Sequence, residues 1–344
     1  MNRSKVMNRI MPCVAAASLA LVLGAPAPAF AKKKIKIKLG TLAPEGSAWY
    51  DGVRRIGDRW KKASKGAIRF KIYAGGVVGD ESDFIRKMNI GQLQAASITG
   101  IGLQRLTPAA MAWQIPMAIQ SYEELDYIRE KMAPVVEAEL EKAGFIVLNW
   151  GDAGWVHMFS KVPAKTPQDF AALKLYTWSE DPDSEAAWKA AGFNPVPLSA
   201  TEVLASLQSG LVDWYVTTPL FALSSQWFGL APNMVEVKWS PLNGATVMTK
   251  KAYDKLPADI REELMSIAKE EGERTKVEVR GLDKKAIKAM VDRGLKVTPA
   301  TPELVEMWRK RTEASYVNIR GKVVPEKYFD EVMRLTKEFR SRGK

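Results

Sequence analysis

Glu141-Lys-Ala-Gly-Phe-Ile-Val-Leu-Asn-Trp150 decides the fold class. The polar, periodic run Tyr122 to Ala143 predicts a helix. Gly144 stops it in a left-handed cap, and Phe145 to Trp150 follows as a buried strand. The same grammar recurs. Ala186 to Ala191 predicts a helix stopped by Gly192, with Phe193 beginning an extended stretch. Met290 to Arg293 predicts the end of another helix, stopped by Gly294 before Leu295-Lys-Val-Thr298. Upstream, Ile35-Lys-Ile-Lys-Leu39 and Ile68 to Tyr73 alternate as strands. Ser47 is placed to cap a helix running to about Ser64, and Asp80 and Glu81 open a helix ending near Gly91. Ala95 to Thr99 reads as a short apolar strand. Short strands alternating with helices mean an α/β architecture with mostly parallel pairing.

From Pro257 to about Arg293 there is no internal proline, and only Gly272 and Gly281 act as weak breakers. A continuous helix of roughly 35 residues, on the order of 50 Å long, would cross two small lobes. The competing reading is two helices broken at Gly281.

At 344 residues the chain suits one large domain or two medium ones. One Cys and one His exclude a disulfide scaffold and a Cys/His zinc site, and leave no second imidazole for triad chemistry. The net charge of +12 owes part of its excess to Lys32-Lys33-Lys34 and to the Arg340–Lys344 tail. No basic stripe interleaved with aromatics argues for nucleic acid. Arg3, Lys5 and Arg9, the apolar run Val14 to Leu23, and Ala29-Phe-Ala31 read as a secretory signal peptide over residues 1–31, with cleavage after Ala31 and a periplasmic destination. Gly75-Gly-Val-Val-Gly79 is similar to a phosphate loop. It lacks the following Lys-Ser/Thr, and Asp80 and Glu81 would repel phosphate, so nucleotide binding is rejected.

Several stretches, in order, resemble one family. They are Lys38-Leu-Gly-Thr41, Ile72 to Asp80, Met88 to Gln94, Ile115-Pro-Met117 with Tyr122-Glu123, Pro167 to Lys174, Glu202 to Asp213 and Lys255-Leu-Pro257. Over nearly all of residues 32–344 the chain resembles the periplasmic solute-binding proteins of tripartite ATP-independent periplasmic (TRAP) transporters, the DctP family. The resemblance implies a two-lobed periplasmic-binding-protein fold with a long helix spanning both lobes. Residues 32–155 and 241–270 would form the first lobe, and 156–240 with 271–344 the second. It implies a receptor that closes on a solute between the lobes and passes it to TRAP membrane permease subunits, without a cofactor, as a monomer and not as an enzyme.

The sequence departs from the family at the ligand. Leu173-Lys-Leu-Tyr176 puts Tyr176 where the resemblance places the arginine that forks onto a ligand carboxylate, and Val156 stands where many members carry a second arginine. Trp150, Trp155, Tyr176, Trp178, Trp214 and Tyr215 fall on stretches that line the cleft in the family, with Thr217 and Thr218 supplying hydroxyls. These residues predict a pocket for an apolar, aromatic or neutral ligand held by a few hydrogen bonds. Large rings are core more often than site, and on that ground Trp150 and Trp188 are assigned to the core. Asp152 is open to two readings, a partner for a ligand amine or hydroxyl, or a loop cap. Thr41, Trp49, Glu81 and Thr99 are expected to face the cleft, and His157 to be structural. No catalytic or metal-binding residue is expected. Competing functions are a periplasmic carrier or sensor on the same fold, uncoupled from a permease, and a secreted hydrolase, which lacks a nucleophile–base pair.

Overall fold

A computed structural model describes residues 34–179 and 181–342. The leader expected over residues 1–31 and its cleavage after Ala31 lie outside the described residues. Among the described residues, eleven strands build two sheets. In the first, β1 (Ile35–Thr41), β2 (Ile68–Tyr73), β3 (Ala95–Thr99), β4 (Phe145–Trp155) and β10 (Pro241–Thr249) run in the order β2-β1-β3-β10-β4. In the second, β5 (His157–Ser160), β6 (Lys174–Trp178), β7 (Asn194–Leu198), β8 (Trp214–Thr217), β9 (Asn233–Val235) and β11 (Lys296–Thr298) run in the order β11-β9-β5-β8-β6-β7.

Local chemistry sets the elements. Ile37 and Leu39 bury alternate positions of β1. The Ser47 hydroxyl accepts from Tyr50 N and caps the helix Ala48–Ala63. Asp80 and Asp83 form a reciprocal cap at the start of Glu81–Asn89.

Pairing is more mixed than the sequence implied. Five of the named strand pairs are parallel and four are antiparallel. The antiparallel pairs all involve β5 or β10. Each is a strand that has just crossed between sheets, so it enters at the end where its neighbour leaves. The two crossings are tied together: Val156 N donates to Ser240 O and Trp239 N to Val156 O, both at 2.9 Å.

The helix Arg261–Val291 is continuous through Gly281, and its 31 residues span about 46 Å. Leu264, Ile267 and Ala268 pack with Ile37, Leu39 and Trp60 under the first sheet. Met290, at the other end, packs with Phe159 and Tyr215 on the second. The Trp60 indole N–H donates to Leu264 O at 2.8 Å and pins this helix to Ala48–Ala63.

The segment 271–344, expected in the second lobe, packs against both sheets. Leu304 and Trp308 of the helix Pro302–Ala314 do pack with Phe170 and Trp214 of the second lobe. The chain then crosses again, and Phe329, Val332 and Leu335 of the helix Glu326–Arg342 pack with Leu125, Ile128 and Met132 of the first. An amphipathic terminal helix carries its apolar face in its sequence, but not the identity of the surface that covers it.

Candidate functional site

A cavity of about 320 Å³ lies between the two sheets. That is within the size range of small-molecule sites. Its walls include the carboxyl ends of β1, β3, β6 and β8, through Thr41, Thr99, Trp178 and Thr217. This is where ligands enter open α/β sheets, because side chains there are not committed to the next strand pair.

Eight of the twelve residues expected at the site line this cavity: Thr41, Trp49, Glu81, Thr99, Asp152, Tyr176, Trp178 and Thr217. The other four do not, and each has a structural role. Trp214 is fully buried against Phe170, with ring centroids 4.6 Å apart, and its indole N–H donates to Leu173 O. Tyr215 stacks on Phe159 at 5.2 Å. Trp155 packs on Tyr122, with the Lys238 ammonium 4.9 Å from its ring centre. The Thr218 hydroxyl accepts from Phe221 N and caps the helix Pro219–Ser224.

Trp150 and Trp188, expected in the core, line the cavity instead. The Trp150 indole donates to Glu137, and its ring meets Trp113 edge-on. Trp188 stacks on Trp239, another lining ring. Sequence reading also passed over Gln114, Phe221, Trp227, Arg311 and Asn243. Asn243 carried a signal, as the one amide side chain of β10, next to Gly244.

Asp152 is engaged within the protein. It is 2% exposed, and both carboxylate oxygens are taken. Arg129 donates to Oδ1, and Arg280 of the long helix donates to Oδ2 at 2.7 Å. Arg280 also forks onto Asp126 at 2.6 and 2.7 Å. Burial opposes the charge on Arg280, but the bonds to Asp126 and Asp152 outweigh it and raise its pKa. Two cations and two anions close on themselves. What Asp152 offers the cavity side is structural: its backbone carbonyl accepts from the Trp49 indole at 3.0 Å.

Glu81 accepts from Thr99 N at 2.8 Å and from the Thr99 hydroxyl at 2.9 Å. Burial dominates those bonds and pushes its carboxyl up to about 8, so it is largely neutral at pH 7. Tyr176 is buried edge-on to Trp227. His157 does not reach the cavity. Burial, with Lys238 nearby, lowers its pKa to about 4. Among the described residues, no group of three or more His, Cys, Asp or Glu could hold a metal ion, and no helix is long and apolar enough to cross a membrane.

A family model described as bacterial extracellular solute-binding protein, family 7 (DctP), matches residues 39–322. The chain is 30% identical over 178 residues to a solute-binding protein of Roseobacter denitrificans, covering 51% of this chain and 54% of that protein. It is 24% identical over 287 residues to the C4-dicarboxylate-binding periplasmic protein DctP of Rhodobacter capsulatus, covering 82% of this chain and 84% of that protein. A solved TRAP periplasmic solute-binding protein of Sulfurospirillum deleyianum, with bound succinate, superposes at a TM-score of 0.82 and 21% identity, covering 88% of this chain and 99% of that one. That likeness bears on the fold.

Proposed function

Because this chain belongs to the bacterial extracellular solute-binding proteins of family 7, DctP, we propose that it captures a small solute between its lobes and delivers it to TRAP membrane permease subunits. The observation that carries this reading is the cavity lined from both lobes at the strand ends. It acts in the periplasm as a monomer, after removal of residues 1–31, and does no chemistry on the solute.

The lobes correspond to residues 32–155 with 241–270 and the terminal helix, and to 156–240 with the segment around Pro302–Ala314. They close about the paired crossings near Trp155–Phe159 and Lys238–Gly244. Thr41, Trp49, Glu81, Thr99, Tyr176, Trp178 and Thr217 contact the solute.

The ligand is apolar, aromatic or neutral. The ligands named for this chain's relatives run against this reading, for they are acids, a C4-dicarboxylate and succinate among them. Among the described residues, the charged ones on the cavity wall are Glu81, Asp152, Asp181 and Arg311. Arg311 is engaged with Ala191 O and lies over the Phe193 ring. A desolvated carboxylate needs a paired cation, and without one it loses several kcal/mol. Tyr176 can give at most one neutral bond, worth about 0.5–1.5 kcal/mol.

Mass spectrometry of solutes co-purifying with the protein tests this reading, beside a calorimetric screen of dicarboxylates, sugar acids and aromatic solutes. Sub-micromolar binding of a simple dicarboxylate, unaffected by Tyr176→Phe and Trp178→Ala, overturns the neutral-ligand claim. A protein that binds no solute overturns the receptor claim.

A further inference from the structure

Five basic side chains share one face of the first sheet. Lys36 and Lys38 of β1 stand in register with Arg69 and Lys71 of β2, and Lys34 precedes Lys36 by the same two-residue step. Register partners in a parallel pair project to the same side, as do alternate residues along a strand. The opposite side is fixed by the core, where Ile37, Leu39 and Ile68 are buried with Trp60 of the helix Ala48–Ala63. The five basic residues therefore lie on the side away from that helix. All but Lys38 are exposed, and Lys38 is half-buried.

Folding alone does not account for this row. Among the described residues, none of the five side chains has a carboxylate within ion-pair distance, and only Lys71 has a ring partner, with its ammonium 4.7 Å from the Tyr73 ring centre. Like charges directly opposite each other destabilise a strand pair. Charge on an edge strand guards against pairing with another chain, which explains Arg69 and Lys71 of the edge strand β2. It does not explain Lys38, which pairs with Lys71 on one side and whose carbonyl accepts from Gln94 N on the other, at 2.9 Å. The neighbouring turn adds an apolar group. Gln94 Oε1 accepts from Lys38 N at 3.0 Å and Gln94 Nε2 donates to Gly91 O at 2.9 Å, so the turn after the helix Glu81–Asn89 is tied to the row. Ile90, in that turn, is 62% exposed.

We propose that this face docks the protein onto an anionic lipid surface. The lysines and Arg69, spaced about 4.8 Å across the strands and about 6.6 Å along them, meet lipid phosphates, and Ile90 enters the headgroup layer beside them. The composition separates a bilayer from a protein partner. Protein interfaces are depleted in lysine and gather on aromatic and arginine anchors, whereas this face carries four lysines to one arginine. An anionic bilayer requires no matching shape and attracts each Lys or Arg held near it. None of the five, nor Ile90, lines the cavity, so the inference does not depend on what the cavity holds.

The test is co-sedimentation of the chain, as the cell processes it, with vesicles of phosphatidylcholine alone or with about 30% phosphatidylglycerol. Binding is expected on the anionic vesicles at low salt, and should be lost by about 0.5 M salt, where screening is short-ranged. Two charge-matched variants separate the face from the net charge. Lys36→Gln, Lys38→Gln and Lys71→Gln together should weaken vesicle binding by at least about tenfold. Lys61→Gln, Lys62→Gln and Lys65→Gln together, at the end of the helix on the other side of the sheet, should change it by less than about twofold. The first variant should melt no lower than the wild type, because it removes opposed like charges. Equal losses from both variants overturn the inference, since net charge alone would then hold the protein. Equal binding to the uncharged vesicles overturns it too, as does binding to heparin or to an acidic protein with the anionic vesicles left free. None of these results bears on the receptor reading, which the solute screen tests separately.

Discussion

Asp80 joins the two lobes to each other through Ser199. One carboxylate oxygen caps the helix Glu81–Asn89 by accepting from Glu81 N, and the other accepts from Ser199 Oγ and from Ala200 N, both at 2.8 Å. Asp80 follows β2 in the first lobe, and Ser199 follows β7 in the second. Asp80 is only 6% exposed, so water competes weakly for these bonds.

This contact predicts a closure latch. Hydrogen bonds to a charged group are worth about 1.5–3 kcal/mol, and 1.4 kcal/mol is a factor of ten in affinity. Ser199→Ala should weaken solute binding by about tenfold, mainly through faster release. Asp80→Asn should do the same while keeping a competent helix cap. Stopped-flow release and small-angle scattering check it. Unchanged release with an unchanged radius of gyration would mean that the contact does not hold the lobes.

Glu81 predicts a pH dependence of stability. Its folded pKa of about 8 lies above the ordinary carboxylate value because it is buried. The folded state therefore binds more protons than the unfolded one between about pH 4.5 and 8, and stability falls as pH rises through that window. Burial lowers His157 to about 4, which gives the opposite slope, confined below about pH 6.5. Burial raises Asp283 to about 6, so it too has largely titrated by pH 7. From pH 7 to 8 the decline belongs to Glu81. Urea denaturation at these pH values should show it in the wild type, and Glu81→Gln should flatten it.

Much of the fold was legible because its signals are local. Ser47 and Asp80 cap helices whose first turns they contact, and Gly144, Gly192 and Gly294 take the positive φ that ends helices. The cavity was legible in part, and what failed was the facing of the rings. Strand alternation assigns faces only while the register is regular, and the pairing of β4 with β10 shifts between Leu242 and Asn243 and again between Thr246 and Val247. Trp150 reaches the cavity, whereas Trp155, at the end of β4 where the chain leaves for the second sheet, packs on Tyr122. Trp214 and Tyr215 point to opposite faces of β8, yet both are buried, because apolar side chains cover both faces of that sheet. The partners of Asp152 were not legible in the sequence because they lie 23 and 128 residues away.

The Arg129–Asp152–Arg280 group predicts a sharp asymmetry between two aspartates. Asp152→Ala leaves Arg129 buried without its carboxylate and removes one of the two partners of Arg280. Breaking a buried pair this way costs about 3–5 kcal/mol. Asp126, whose side chain is 42% exposed, should cost less, about 1 kcal/mol, when changed to Ala. Equal losses in denaturant unfolding would show that the network is not closed on Asp152.

Two glycines in one helix predict opposite effects of the same substitution. Both Gly272 and Gly281 lie inside Arg261–Val291, where glycine costs about 0.5–1 kcal/mol relative to alanine. At Gly281 an added Cβ would meet nothing within 4 Å, so Gly281→Ala should stabilise by roughly that amount. At Gly272 the helix crosses β4. There a Cβ would stand 2.6 Å from Asn149 Cβ and 3.3 Å from Trp150 O, closer than packed atoms come. Asn149 cannot simply turn away, because its amide donates to Ala268 O across the same crossing. The helix would have to lift from the strand that carries Trp150, Asp152 and the exit to the second lobe. Overpacking of this kind costs about 1–3 kcal/mol, more than the helix gains. Gly272→Ala should therefore destabilise in urea titrations, where Gly281→Ala stabilises, and the displaced β4 should also weaken solute binding. Equal stabilisation by both would mean that the helix does not rest on β4 at Gly272.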